Sequence, residues 1–71
     1  RDSDPLELLT QREKEVLLAL GEGLSNKEIS QKLYVTEHTV KKHVSQILAK
    51  LDLADRSHAI IFAYNKGLIG S

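Results

Sequence analysis

A chain of 71 residues has room for one small domain, and a core of that size rarely contributes more than ~3–5 kcal/mol, so good helix packing or a partner must supply the rest. The absence of cysteine excludes disulfides and thiolate zinc sites, the three histidines include no His-x-x-x-His pair, and no apolar run nears the ~18 residues of a membrane span. Ten basic and ten acidic side chains cancel, which counts against a nucleic-acid binder that is basic throughout.

The first nine residues mix Asp and Ser with the sole proline, Pro5, ahead of Leu6-Glu7-Leu8-Leu9. Residues 1–8 read as a linker remnant, which implies a fragment of a larger protein, and residues 9–71 as the domain. Thr10 with Glu13 three residues on is a capping box, in which each side chain accepts from the other's backbone amide. Val16, Leu17 and Leu20 continue at helical spacing until Gly21 and Gly23 stop the run, predicting a helix over about 11–21. Ser25 with Glu28 repeats the box, and Leu24 stands where a hydrophobic staple would meet Ile29. A helix over about 26–33 follows, with Ile29 and Leu33 facing inward. After the three-residue turn Tyr34-Val35-Thr36, a helix of about 37–50 carries the stripe Val40, Val44, Ile47, Leu48 and Leu51. Asp55 caps a last helix of about 56–66, which Gly67 ends, with Leu68 and Ile69 expected to fold back as apolar anchors. The fold class is all-α: a four-helix bundle whose short helix, tight turn and longer helix make a helix-turn-helix.

In the last helix Ala59, Ile60, Ile61, Phe62, Ala63 and Tyr64 run consecutively and so cover the whole circumference. Such a helix wants burial on more than one side. In a domain this small it is not expected at the centre of the core, so one face, with Ile60, Ile61 and Tyr64, is expected to meet another molecule and form a dimer interface, the alternative being that these residues pack under Leu68 and Ile69.

Charge is segregated along the chain. Residues 1–24 hold three basic and six acidic side chains, whereas residues 25–50 hold five lysines against Glu28 and Glu37. The positive stretch is the helix-turn-helix. Opposite the apolar stripe of its second helix, His38, Lys41, Lys42, Ser45 and Ala49 share one face at helical spacing. Lysines on the N-terminal half with small residues beyond suit entry into a groove, where Lys donates to guanine O6 and N7 or to phosphate. Asn26 and Lys27 open one helix, and Thr36 and Thr39 open the next. Free amides and hydroxyls at such ends suit phosphate oxygens, and Thr36 can both cap and contact. His43 borders the stripe and is read either as a packing residue that hydrogen-bonds locally or as a phosphate contact. His43 and His38 lie about 140° apart at 100° per residue, so they cannot share a metal side by side. Asp55, Ser57 and His58 suggest a triad by type, but they crowd into one capped turn without a nucleophile elbow or oxyanion site. No catalytic residue, metal or cofactor is expected.

Leu9–Leu17, Gly23–Ile29 and Thr36–Val44 together strongly resemble the LuxR-type helix-turn-helix domain, the four-helix DNA-binding domain that ends NarL/FixJ-type response regulators and quorum-sensing regulators. The resemblance covers roughly Leu9 to Ile69. The tail from Leu48 to Ala59 is similar to members from Gram-positive response regulators that act on cell-envelope stress. The resemblance implies that the third helix enters the major groove of double-stranded promoter DNA. Base reading then falls on Lys41 and Lys42, with His38 and Ser45 able to join, and phosphate contacts fall on Asn26, Lys27, Thr36, Thr39 and His43. It also implies a homodimer through the last helix, and a parent chain phosphorylated by a sensor kinase on a receiver domain that lies outside this sequence. Ser30 departs from the alanine common in the family. The expectation is a soluble, cytoplasmic, non-membrane transcription regulator. A quorum-sensing regulator, or a protein-interaction module working through the last helix, is the alternative.

Overall fold

The computed structural model describes residues 5–67. Within them the chain forms a 3-10 turn at Pro5–Leu8 and four helices: α1 (Gln11–Gly21), α2 (Asn26–Leu33), α3 (Glu37–Leu51) and α4 (Arg56–Asn65). Every helix starts where a side chain can take an amide that the helix itself leaves without a partner. Thr10 Oγ1 accepts from Glu13 N at 3.1 Å, and Glu13 Oε1 accepts from Thr10 N at 2.9 Å. Ser25 and Glu28 repeat the exchange at 3.1 and 2.8 Å. Thr36 accepts from Thr39 N at 3.1 Å, and Asp55 from His58 N at 3.0 Å. The four expected starts therefore hold, while α3 runs on to Leu51 and α4 stops at Asn65.

The ends of α1, α2 and α3 share one device. Leu24 N donates to Ala19 O at 3.2 Å, Val35 N to Ser30 O at 3.0 Å and Leu53 N to Leu48 O at 2.9 Å, each closing a six-to-one turn over a left-handed residue. At the end of α1 that residue is Gly23, with φ at 86°, whereas Gly21 is still helical and buried. The other two are Tyr34 and Asp52, with φ at 59° and 56°.

Val16, Leu17 and Leu20 of α1 meet Ile29 of α2, Val40 and Ile47 of α3, and Ala59 and Ala63 of α4 in a core where each is fully buried. Leu33, Val44, Leu48 and Leu51 pack half-buried around it. The expectation that α4 is not central to the core is corrected on one face, where Ala59 and Ala63 are fully buried in it. Small side chains at Ala59 and Ala63 let α4 lie close against α1, its main neighbour. The exposed remainder of its apolar residues is narrower than the sequence suggests: Ile61 and Tyr64 are 55% and 53% exposed, whereas Ile60 and Phe62 are half-buried. The expected anchors Leu68 and Ile69 lie outside the described residues.

Residues 5–8, read as linker, are structured. Leu6 packs on the core, Leu9 N donates to Leu6 O at 3.1 Å, and Leu9 is itself buried. Two apolar residues one 3-10 turn apart hold this segment against the bundle. Ser30 is also buried, and its hydroxyl donates to Lys27 O at 2.6 Å, so a serine is accommodated without an unmet polar group.

Candidate nucleic-acid interface

At fifteen residues α3 is about 22 Å long. Val40 and Ile47 are buried against the bundle, and the opposite face is turned to solvent: His38, Lys41, Lys42, Ser45 and Ala49 are all exposed. The four candidate base-reading residues thus lie together on one unobstructed face of a helix held by its other side.

The structure sorts the basic charge of residues 25–50. Lys32 turns to Glu22 of the α1–α2 turn at 3.0 Å, and Lys50 turns to Glu13 of α1 at 2.7 Å. Lys27, Lys41 and Lys42 have no ion pair among the described residues. Two of the five lysines thus pair with carboxylates of α1 and of the turn after it, and the three that remain are the candidates to meet phosphates or bases.

Around these lysines lie the starts of α2 and α3. The Ser25–Glu28 capping box and the Thr36 cap leave the amides of Asn26, Lys27, Glu37 and His38 without acceptors among the described residues, as expected for the first two positions of a helix. Such amides, at the positive end of a helix dipole, suit anionic oxygens. The two threonines differ in what they still offer. Thr36 Oγ1 accepts from the Thr39 amide and donates its proton to Thr39 Oγ1 at 2.9 Å. Thr39 accepts there and keeps its own proton, so Thr39 is the ready donor and Thr36 the group that orients it. Asn26 is half-buried, and its Oδ1 accepts from Arg56 Nη1 at 2.7 Å. That partner, thirty residues downstream in a different helix, carries no periodic or motif signal by which sequence could have revealed it.

His43 is half-buried, and the expectation of a local hydrogen bond is corrected: its Nδ1 is buried without a partner. Nε2 is not among the buried unpartnered atoms, so it is the ring nitrogen left for an outside partner. His58 Nδ1 lies 2.8 Å from Asp55 Oδ1, the oxygen that caps α4. That bond, with the capped amide, holds the Asp55 carboxyl below its ordinary range. Asp55, Ser57 and His58 are all exposed in the first turn of the helix, a cap rather than a cleft. No group of side chains among the described residues could hold a metal ion, and no helix among them is long and apolar enough to cross a membrane.

The model of the bacterial regulatory proteins of the LuxR family matches residues 7–63, which spans all of α1, α2 and α3 and most of α4. This chain belongs to the LuxR family. Among its relatives, the transcriptional regulatory protein LnrK of Bacillus subtilis is 57% identical over 60 residues, covering 84% of this chain and 27% of LnrK. LiaR of the same organism is 46% identical over 65 residues, covering 92% of this chain and 31% of LiaR. The response regulator protein VraR of Staphylococcus aureus is 49% identical over 63 residues, covering 89% of this chain and 30% of VraR. The chain therefore spans less than a third of the length of these relatives. As a LuxR-family domain it is the DNA-binding helix-turn-helix of a transcription regulator, and the exposed face of α3 is the part of the helix-turn-helix suited to that task.

Proposed function

We propose that this LuxR-family domain is the output domain of a cytoplasmic two-component response regulator that binds double-stranded promoter DNA sequence-specifically. In this reading α3 lies in the major groove, about 12 Å wide, with Lys41 and Lys42 donating to base edges and His38 and Ser45 beside them. Phosphates are held by Lys27, Thr39, Asn26 and His43, with Thr36 as the cap that orients Thr39. A second copy docks through Ile61, Tyr64 and the edge of Ile60, so that two domains read two half-sites. A receiver domain in the parent chain, phosphorylated by a sensor kinase, governs the pairing. The response-regulator reading is favoured over a quorum-sensing one by relatives such as VraR, named a response regulator protein.

The observation that carries this is the partition of the five lysines of residues 25–50: Lys32 and Lys50 pair with Glu22 and Glu13, whereas Lys27, Lys41 and Lys42 have no ion pair among the described residues. Fluorescence anisotropy on a duplex selected from a random pool, titrated at several salt concentrations, is the direct test. Affinity should fall steeply with salt, by about 0.9 in log–log slope for each phosphate neutralised. A flat salt dependence, or full affinity in Lys41→Ala and Lys42→Ala, overturns the reading. The exposed Ile61 and Tyr64 support a rival, a protein-interaction module working through α4. It predicts the opposite pattern, with α3 substitutions silent and α4 substitutions decisive.

A further inference from the structure

Arg56, the first residue of α4, reaches back across the bundle to the start of α2. Its Nη1 donates to Asn26 Oδ1 at 2.7 Å and its Nη2 to Leu24 O at 2.6 Å. The two acceptors flank Ser25, the cap of α2. Both bonds are partly buried and join segments 30 and 32 residues apart. Ile60, on the edge of the α4 apolar face, lines the same open groove as Arg56, Leu24 and Asn26.

A guanidinium has donors and no acceptor, so the Asn26 amide must present its oxygen to Arg56. Its Nδ2 then points away, and no group in the described chain takes either of its protons. Without Arg56 the amide could turn over and offer an oxygen to an approaching phosphate, which repels it. The second bond, to the Leu24 carbonyl, fixes the backbone just before the cap and hence the direction of the free amides of Asn26 and Lys27.

We propose that Arg56 is a positioning residue for DNA binding: it holds Asn26 with Nδ2 toward the phosphate and pins the start of α2, tying α4 to the DNA-facing surface. This rests on Asn26 being a phosphate contact, as proposed above. A fork spanning two acceptors is needed, so Arg56→Lys, which keeps the charge but is a single compact donor, separates geometry from electrostatics.

The test is a double-mutant cycle on DNA affinity with Arg56→Lys, Asn26→Ala and both together, each checked by thermal melting. Each single substitution should weaken binding about five- to tenfold, the double no more than the stronger single, and the salt slope should stay unchanged in Arg56→Lys. In the wild-type chain, the Asn26 side-chain amide should shift in a proton–nitrogen NMR spectrum on addition of duplex. This measurement does not depend on any variant folding. Multiplicative losses, wild-type affinity in Arg56→Lys, or an Asn26 side-chain amide that ignores DNA would overturn the assignment of Arg56 and leave the lysine-based reading of α3 standing. A wild-type chain that shows no salt-dependent binding removes both.

Discussion

Lys50 Nζ, in the last turn of α3, lies 2.7 Å from Oε1 of Glu13 in the first turn of α1, and the Glu13 side chain there is only 3% exposed. The same oxygen accepts from the Thr10 amide at 2.9 Å. One carboxylate thus caps α1 and anchors the far end of α3 to it. Burial pushes the Glu13 carboxyl up, but the Lys50 hydrogen bond, the Thr10 amide and the Lys50 charge together outweigh burial and hold it below its ordinary range.

Lys50→Ala leaves this carboxylate buried with one partner fewer. Stability should fall by about 1–3 kcal/mol, read from the midpoint of urea unfolding, because an unmet buried acceptor costs more than the bond itself contributed. Lys32→Ala is the control. Its partner Glu22 is exposed, so its removal should change stability by less than about 0.5 kcal/mol.

Acid should act through the same residue. With the folded carboxyl depressed, the unfolded chain takes up the proton first as pH falls. Stabilisation from Glu13 is therefore complete above the ordinary glutamate range and is lost as pH drops through the folded value. Urea midpoints measured from neutral to acidic pH should fall for the wild type and less steeply for Glu13→Gln. Parallel curves would contradict this.

On the DNA face, Lys41→Ala and Lys42→Ala should each cost about 1–3 kcal/mol of specific affinity and relax the preference for the base they contact. Lys27→Ala should weaken all duplexes alike and lower the salt slope by about one, measured by anisotropy on matched and scrambled sites.

Tyr34 is 93% exposed and left-handed, with φ at 59°. A bulky residue in that conformation is strained, and glycine adopts it freely, so Tyr34→Gly should raise stability by about 1 kcal/mol in thermal or urea unfolding. No gain would mean that the greater conformational freedom glycine loses on folding offsets the relieved strain.

Substitution of the exposed α4 residues should separate pairing from recognition. Ile61→Asp or Tyr64→Asp should leave affinity for a single half-site unchanged while reducing the cooperative advantage of a two-half-site duplex about tenfold or more. Equal affinities for one and two half-sites in the wild type would remove the dimer reading of this face.

Most of the architecture was legible in the order of residues because its signals are local. A capping box needs two side chains three positions apart, and the Thr10–Glu13 and Ser25–Glu28 pairs close as written. The α3 stripe and the exposed face of His38, Lys41, Lys42 and Ser45 follow from 3.6-residue periodicity. The six-to-one closures over Tyr34 and Asp52 were less visible, because a non-glycine residue does not advertise a left-handed backbone. The central place of α4 in the core was not legible for a different reason. Hydropathy counted Ile61 and Tyr64 with the rest, but the buried edge is made by Ala59 and Ala63, chosen for size rather than apolarity.

The sequence by itself determined four capped helices, a helix-turn-helix and the face of α3 that is free to meet DNA, since caps and periodicity act within a few residues. Only the tertiary structure decided which charges remain available. No sequence signal showed which lysines have acidic partners, yet chain folding brings Glu22 and Glu13 within 3.0 and 2.7 Å of Lys32 and Lys50 and leaves Lys41 and Lys42 without ion pairs among the described residues. Arg56 follows the same rule: its hold on Asn26 and Leu24 exists only because packing α4 against α1 carries it to the start of α2. Coulombic and hydrogen-bond partners are set by distance through space, and that distance belongs to the fold rather than to any stretch of the chain.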